Sequence, residues 1–326
     1  MPPLRDAIRY PAKRVLLQRT RLAYVHLRNL LTDAKRDRAA RVSGYVAVWM
    51  PEELLVLFLE EGEVVNATSS TDGIAFQTIA ISDAIGRVPT AAEYGSICFH
   101  EASNEQLDLM FASQTGTSIA FPRELQANNA TALLAYLDGL MTDGALEIIA
   151  DGSVNYATLA EGKPTSGSFV DPRVGDVTAH IRLLLEGKTL AAPPIVRLWP
   201  IPDALPAQAS PALIQSYREL MTALAVRLMA GGKSGAAEIV EGARRSLVAR
   251  HPMLERFSPA LEKAKDPVTD AAALTKAIAA WIADVLWAAG IEDASPEELL
   301  KELTVARRHV FQAAGLFESL PWKVKW

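Results

Sequence analysis

The sequence predicts an α+β protein, with tandem duplicated modules of short antiparallel strands and flanking helices followed by an all-α C-terminal helical domain. Three observations carry that expectation. Gly44 to Gly62 aligns without a gap with Gly144 to Gly162, the segments around each copy repeat in the same order, and the pattern from Gly231 onward is helical. The implied domains are 1–125, a basic N-terminal helix plus the first module; 126–230, the second module; and 231–326, a helical bundle.

The aligned stretches read GYVAVWMPEELLVLFLEEG and GALEIIADGSVNYATLAEG. Val46 and Val48 match Leu146 and Ile148, while Leu54, Val56 and Leu59 match Val154, Tyr156 and Leu159. Such β-branched and aromatic runs with partial alternation suit strands that bury one face. Asp151-Gly152 fits a two-residue hairpin turn because both residues tolerate positive φ. Pro51-Glu52-Glu53 occupies that place in the first copy and demands another turn type. Each copy closes on Glu-Gly, at Glu61-Gly62 and Glu161-Gly162, where glycine allows a left-handed reversal into a third strand.

Ahead of the first copy, apolar residues from Val15 to Leu31 at helical spacing predict a helix over 14–34. Its counterpart is Thr131 to Met141, entered from the polar junction Gln126-Ala127-Asn128-Asn129. After the third strand, Thr71-Asp72-Gly73 reads as a helix start, with Ile74, Ile81 and Ile85 on one face and Gly86 as the stop. The second copy has Asp171-Pro172, then Val174, Val177, Ile181 and Leu184, and a stop at Gly187. One more strand and helix follow in each: Ser96 to His100 with Asn104 to Ser113, and Ile195 to Trp199 with Pro211 to Met229. Beyond Gly231, helices are expected over 235–249, 253–264, 269–289 and 295–318, with connections short enough for antiparallel neighbours. Ser295-Pro296-Glu297-Glu298 combines a capping serine, a first-turn proline and a glutamate three residues on.

At 326 residues, 50% of them hydrophobic and 22% charged, the chain is globular in composition. No apolar stretch approaches the roughly 18–20 residues that cross a bilayer, so no membrane span is expected. The N-terminus lacks the apolar core of a signal peptide, which makes a cytoplasmic location the expectation. A single cysteine, Cys98, excludes an intramolecular disulfide framework. Residues 1–41 hold eleven Lys or Arg against three Asp, a net of +8, so the remainder carries −13. Attraction to nucleic acid or an anionic membrane is one reading. A solvated helix face is the favoured one, because the segment has an apolar stripe and only Tyr10 and Tyr24 for stacking on bases.

Motifs that carry chemistry are absent or incomplete. Gly231-Gly232-Lys233-Ser234 lacks the glycine a phosphate loop needs at Arg227 and follows a helical pattern, so a helix end is the better reading. His100-Glu101 begins like a zinc-protease motif, but Asn104 replaces the second histidine. Cys98 and His100 share a strand face, and two ligands do not make a metal site. Glu52-Glu53 and Glu60-Glu61 read as solvent-facing turn carboxylates, and Trp281 and Trp287 as anchors of the bundle. No catalytic, cofactor-binding or metal-ligating residue is assigned.

The order of elements resembles the PATAN (PatA N-terminal-like) domain family. The likeness lies in a leucine-rich helix, Ser43-Gly44-Tyr45-Val46-Ala47-Val48, then Phe58-Leu59-Glu60-Glu61-Gly62 and Val64-Val65-Asn66-Ala67. It covers about residues 20–115 and 130–230, and Pro164 and Gly167 depart from the pattern in the second copy. The resemblance implies non-enzymatic modules that mediate protein interactions in bacterial signalling, often beside receiver domains. It therefore implies a regulatory or scaffold protein whose partners are other signalling proteins, with homo-oligomers allowed. Two alternatives stand beside it: a small-ligand sensor with a pocket between the modules, and nucleic-acid binding through residues 1–41, testable by deleting them.

Overall fold

The computed structural model describes residues 4–36, 41–90, 94–120, 122, 129–172, 175–186, 193–201, 205–258, 265–291 and 296–324. The chain packs into two compact units, Met1–Ile79 with Ala84–Leu205, and Ala80–Asp83 with Pro206–Trp326. The class is α+β. In the first unit lie β1 (Arg14–Arg21), β2 (Gly44–Trp49), β3 (Leu54–Glu60), β4 (Glu63–Ser70), β5 (Gln77–Thr78) and β6 (Ser96–Glu101), one antiparallel sheet in the order β1-β6-β2-β3-β4-β5. A second antiparallel sheet contains β7 (Gly144–Ala150), β8 (Ser153–Ala160), β9 (Lys163–Ser168) and β10 (Ile195–Trp199) in the order β10-β7-β8-β9. Between and beside them run α1 (Leu4–Ala7), α2 (Leu27–Arg36), α3 (Ile81–Arg87), α4 (Asn104–Thr115), α5 (Ala130–Leu140) and α6 (Val177–Glu186).

Side-chain alternation divides the second sheet between two cores. Leu146, Ile148, Ala157 and Leu159 pack outward with Leu133 and Leu137 of α5 and Ile181 and Leu185 of α6. Ala145, Ile149, Val154 and Tyr156 face inward, where they share one cluster with Tyr45, Val56 and Phe58 of the first sheet and Met110 and Phe111 of α4. In β2 and β3 both faces are buried, which explains their nearly continuous apolar sequences. Polar caps start the helices: Ser103 accepts from the Gln106 amide at α4, and Asn129 from the Ala132 amide at α5.

The closing turns of the two hairpins are alike in detail. Glu61 and Gly62 have φ of 46° and 79°, and Glu161 and Gly162 have 49° and 78°. The Glu61 amide donates to Ser43 Oγ at 3.3 Å and the Glu161 amide to Asp143 Oδ1 at 2.8 Å. Gly62 N donates to the Val42 carbonyl and Gly162 N to the Thr142 carbonyl, at 3.0 and 3.1 Å. Both glycines sit against the last turn of the preceding helix. The first turns differ as the sequence requires: Asp151-Gly152 has φ of 46° and 74°, whereas Met50 N bonds the Glu53 carbonyl across a four-residue loop.

Four expectations are corrected. The helix over 14–34 is a strand in its first half: β1 pairs with β6, a 3-10 turn spans Leu22–Tyr24, and α2 begins at Leu27. The apolar residues do not form one stripe, since Leu22, Leu27 and Leu31 are buried while Val15 and Leu16 are exposed. The helix start at Thr71-Asp72-Gly73 is instead a turn, because Asp72 Oδ1 accepts from the amides of Ile74 and Ala75 and from Ser70 Oγ. The helix α3 begins only at Ile81, and Gly86 lies inside it. Val174, Gly187 and Ser295 lie outside the described residues.

The second unit holds α7 (Pro211–Ala230), α8 (Ala236–Leu247), α9 (Ala271–Ala288), α10 (Pro296–Thr304), α11 (Arg308–Ala313) and α12 (Leu316–Ser319), with a 3-10 segment at Pro252–Phe257 and another at Val305–Arg307 that interrupts the helix expected over 295–318. The helix at 211–230, which the sequence places at the end of the second module, falls in this unit. The third correction concerns α9, which is long and apolar enough by length and composition to cross a membrane. Its apolarity is used internally: Leu274, Ile278, Trp281, Ile282, Val285 and Leu286 are buried in the helical core. The fourth concerns the paired tryptophans. Trp281 is buried and donates Nε1 to the Val240 carbonyl at 2.8 Å, whereas Trp287 is 56% exposed and meets the edge of Trp322.

Candidate interaction surface

Each motif singled out in the sequence has a structural environment. The amides of Gly231, Gly232, Lys233 and Ser234 donate to the carbonyls of Arg227, Met229, Leu228 and Gly232. Amides that would cradle a phosphate are therefore already engaged in ending α7. Cys98 is buried, and burial pushes its thiol up to about 11. At neutral pH it is a thiol rather than the thiolate that binds metal or attacks carbon. His100 Nδ1 lies 2.7 Å from the Tyr45 hydroxyl, and burial lowers its pKa. That hydroxyl also lies 2.8 Å from the Pro11 carbonyl, to which Gln106 Nε2 donates at 2.7 Å. Among the described residues no three His, Cys, Asp or Glu converge to hold a metal.

Between the two sheets the core contains a polar cluster that the sequence does not advertise. Thr68 Oγ1 donates to Gln114 Oε1 at 2.6 Å, Gln114 Nε2 donates to the Tyr10 hydroxyl at 3.4 Å, and the hydroxyls of Ser113 and Tyr156 are 3.1 Å apart. Glu147 is buried beside them, its Oε2 3.6 Å from Arg197 Nη1. Burial raises the Glu147 pKa, opposed first by Arg197 and then by the nearby Ser113 hydroxyl and Trp199 indole. Among the described residues neither Glu147 Oε2 nor Trp199 Nε1 completes a hydrogen bond. The cavity lined by Tyr10, Ser113, Gln114, Glu147, Tyr156 and Arg197 measures about 10 Å³. That is the space of one water, far below the roughly 300–1,000 Å³ of a ligand pocket. A shallow hollow of about 300 Å³ near β4 is lined by charges that already pair, Lys35 with Glu63 and Arg41 with Glu61.

The outer edge of the first sheet is different. There β1 is a terminal strand, bonded to β6 alone, with most of its side chains exposed. The cations on and next to it fall into two groups. Lys13 and Arg14 reach Glu101 at 3.0 and 2.8 Å, and the Arg19 guanidinium lies 4.0 Å over the Trp49 ring while donating to Ser96 Oγ and the Asp6 carbonyl. Arg21 and Arg28 are exposed and, among the described residues, make no ion pair. Just past the strand, Leu22 N donates to the Gly95 carbonyl at 3.2 Å. This bond follows the last strand pair, Arg21–Ser96, and ties the 3-10 turn Leu22–Tyr24 to the residue that follows Tyr94. Tyr24 is 77% exposed and Tyr94 73%. The sequence points to Tyr24 and not to Tyr94, which lies seventy positions away and is brought to this end of β1 by the Leu22–Gly95 bond.

No protein-family model, no curated protein and no solved structure matches the chain.

Proposed function

We propose that the chain is a non-enzymatic intracellular regulatory or scaffold protein that mediates protein-protein interactions in bacterial signalling. The observation that carries this reading is the exposure of Tyr24 and Tyr94 on the two segments joined by the Leu22–Gly95 bond, next to Arg21, which makes no ion pair among the described residues. Tyr and Arg are the side chains that anchor protein interfaces, offering large amphipathic area at low entropic cost. The reading as tandem PATAN-like modules draws support from the matched Glu-Gly turns, and that of a C-terminal helical domain from the helices that follow. Against a ligand sensor stands the small space at the sheet interface. The test is capture of partners from the native host by the intact chain and by a Tyr24→Ala/Tyr94→Ala variant, with quantitative mass spectrometry. Signalling proteins enriched by the parent and lost with the variant are expected. Equal recovery with both chains, or no protein above background, refutes the reading.

A further inference from the structure

We propose that the partner seated on this surface is an acidic protein segment with interspersed apolar side chains, docked along β1 and the turn that follows it. The inference rests on the interaction-module reading. Charge supports it first: no Asp or Glu occurs from Lys13 to Thr32, and Arg21 and Arg28 have no carboxylate within ion-pair distance among the described residues. Apolar exposure supports it next. Val15 is 49% exposed and Leu16 36% at the start of β1, and Tyr24 and Tyr94 are exposed past its end, so a segment lying along the strand meets apolar area on either side of Arg21.

Other occupants fit less well. A second copy paired antiparallel about Leu17 and Gln18 would set Arg14 opposite Arg21 twice, and like charges directly across strands are destabilising. The register also shifts between Val15 and Leu17 and between Leu17 and Thr20, irregularities that discourage strand addition. The surface is therefore read through side chains rather than through its backbone edge. A polynucleotide would leave the exposed apolar side chains Val15 and Leu16 unused.

The experiment is fluorescence anisotropy on the intact chain with three labelled probes: a peptide alternating Glu with Leu and Val, the same peptide with Lys for Glu, and an oligo-dT. Variants are Arg21→Glu/Arg28→Glu and Tyr24→Ala/Tyr94→Ala, each first shown to unfold at the parent's temperature. The acidic peptide should bind saturably, the lysine peptide should not, charge reversal should weaken binding at least about tenfold and tyrosine removal at least about fivefold. No binding of the acidic peptide at low salt, or binding indifferent to charge reversal, overturns the inference. Tighter binding of oligo-dT overturns it in favour of nucleic acid. If the peptide fails while native partners are still captured through Tyr24 and Tyr94, the interaction reading stands and only the partner chemistry falls. If both fail, both are wrong.

Discussion

Replacing Gly162 by Ala tests whether the closing turn of the second hairpin is held beneath α5. Its φ of +78° lies in the left-handed region, which costs an alanine about 1–2 kcal/mol. An added Cβ would also stand 2.0 Å from the Leu137 carbonyl oxygen, 2.7 Å from that carbonyl carbon and 3.0 Å from the Asp138 Cα. These are backbone atoms of a helix, so no side-chain rotation relieves the clash and the turn must move away from α5. Overpacking of this kind adds about 1–3 kcal/mol, for a total near 2–5 kcal/mol. Gly139 supplies the control: it lies in the last turn of α5, and its Cβ would meet nothing within 4 Å. Alanine there should stabilise by up to about 1 kcal/mol. Urea unfolding followed by circular dichroism and tryptophan fluorescence reads both. Gly62→Ala should behave like Gly162→Ala, because its Cβ would lie 2.3 Å from the Ala34 carbonyl oxygen at φ +79°. A loss under about 0.5 kcal/mol at Gly162 would refute the packing argument.

Two titration predictions follow from the buried and paired carboxylates. Burial raises the Glu147 pKa, so the folded state holds its proton over a window starting at the ordinary carboxyl value near 4.3 and ending at the raised one. Stability is lost as pH rises through that window. Glu147→Gln should therefore gain on the parent between pH 4 and pH 7 in urea midpoint, and a gain in the opposite direction contradicts the assignment. Glu241 behaves inversely. Hydrogen bonds from Arg244 and then Arg245 lower its pKa, so its contribution is present above the unfolded value and lost as pH falls through the folded one. Arg244→Ala should weaken that acid-side dependence, leaving the part due to Arg245, and leave the Leu254 carbonyl, now bonded at 2.9 Å, without its Arg244 donor, costing about 1–3 kcal/mol by thermal unfolding.

The parts of the fold legible in the sequence are those whose information is local. Asp151-Gly152 and the two Glu-Gly pairs state their turns directly, because few residues accept positive φ. Pro211 after Ser210 marks the start of α7 for the same kind of reason. What failed was decided by distant partners. Val15 and Leu16 open a run of helical spacing that extends to Leu31, yet the backbone of β1 is claimed by Ser96 to Glu101, some eighty positions on, and the strand wins. At Asp72 a side chain outcompetes the helix by taking the amides itself. The polar core is legible only in pieces: Tyr10, Ser113, Gln114, Glu147 and Arg197 are unremarkable until two sheets close around them. Likewise Tyr94 acquires meaning only once Gly95 bonds Leu22.

The same geometry decides how the N-terminal segment can be tested. A basic helix at residues 1–41 would be removable, and deletion would be the natural assay for charge. In the folded chain they bind the two sheets together. Arg9 N donates to the Gly152 carbonyl at 2.8 Å, Val154 N donates to the Arg9 carbonyl at 2.9 Å, and Lys13 N donates to the Glu101 carbonyl at 2.9 Å. Ile8 and Tyr10 are buried between, in the cluster shared by Tyr45 and Tyr156. Deletion would strip a strand from one sheet, open the core of the unit and expose the Glu147 cluster to water. A loss of binding would then follow from unfolding whatever the role of the charges. Arg21 and Arg28 are exposed and make no ion pair among the described residues, so reversing them changes the field at the edge while leaving these contacts in place, and a change in binding can be assigned to the surface itself.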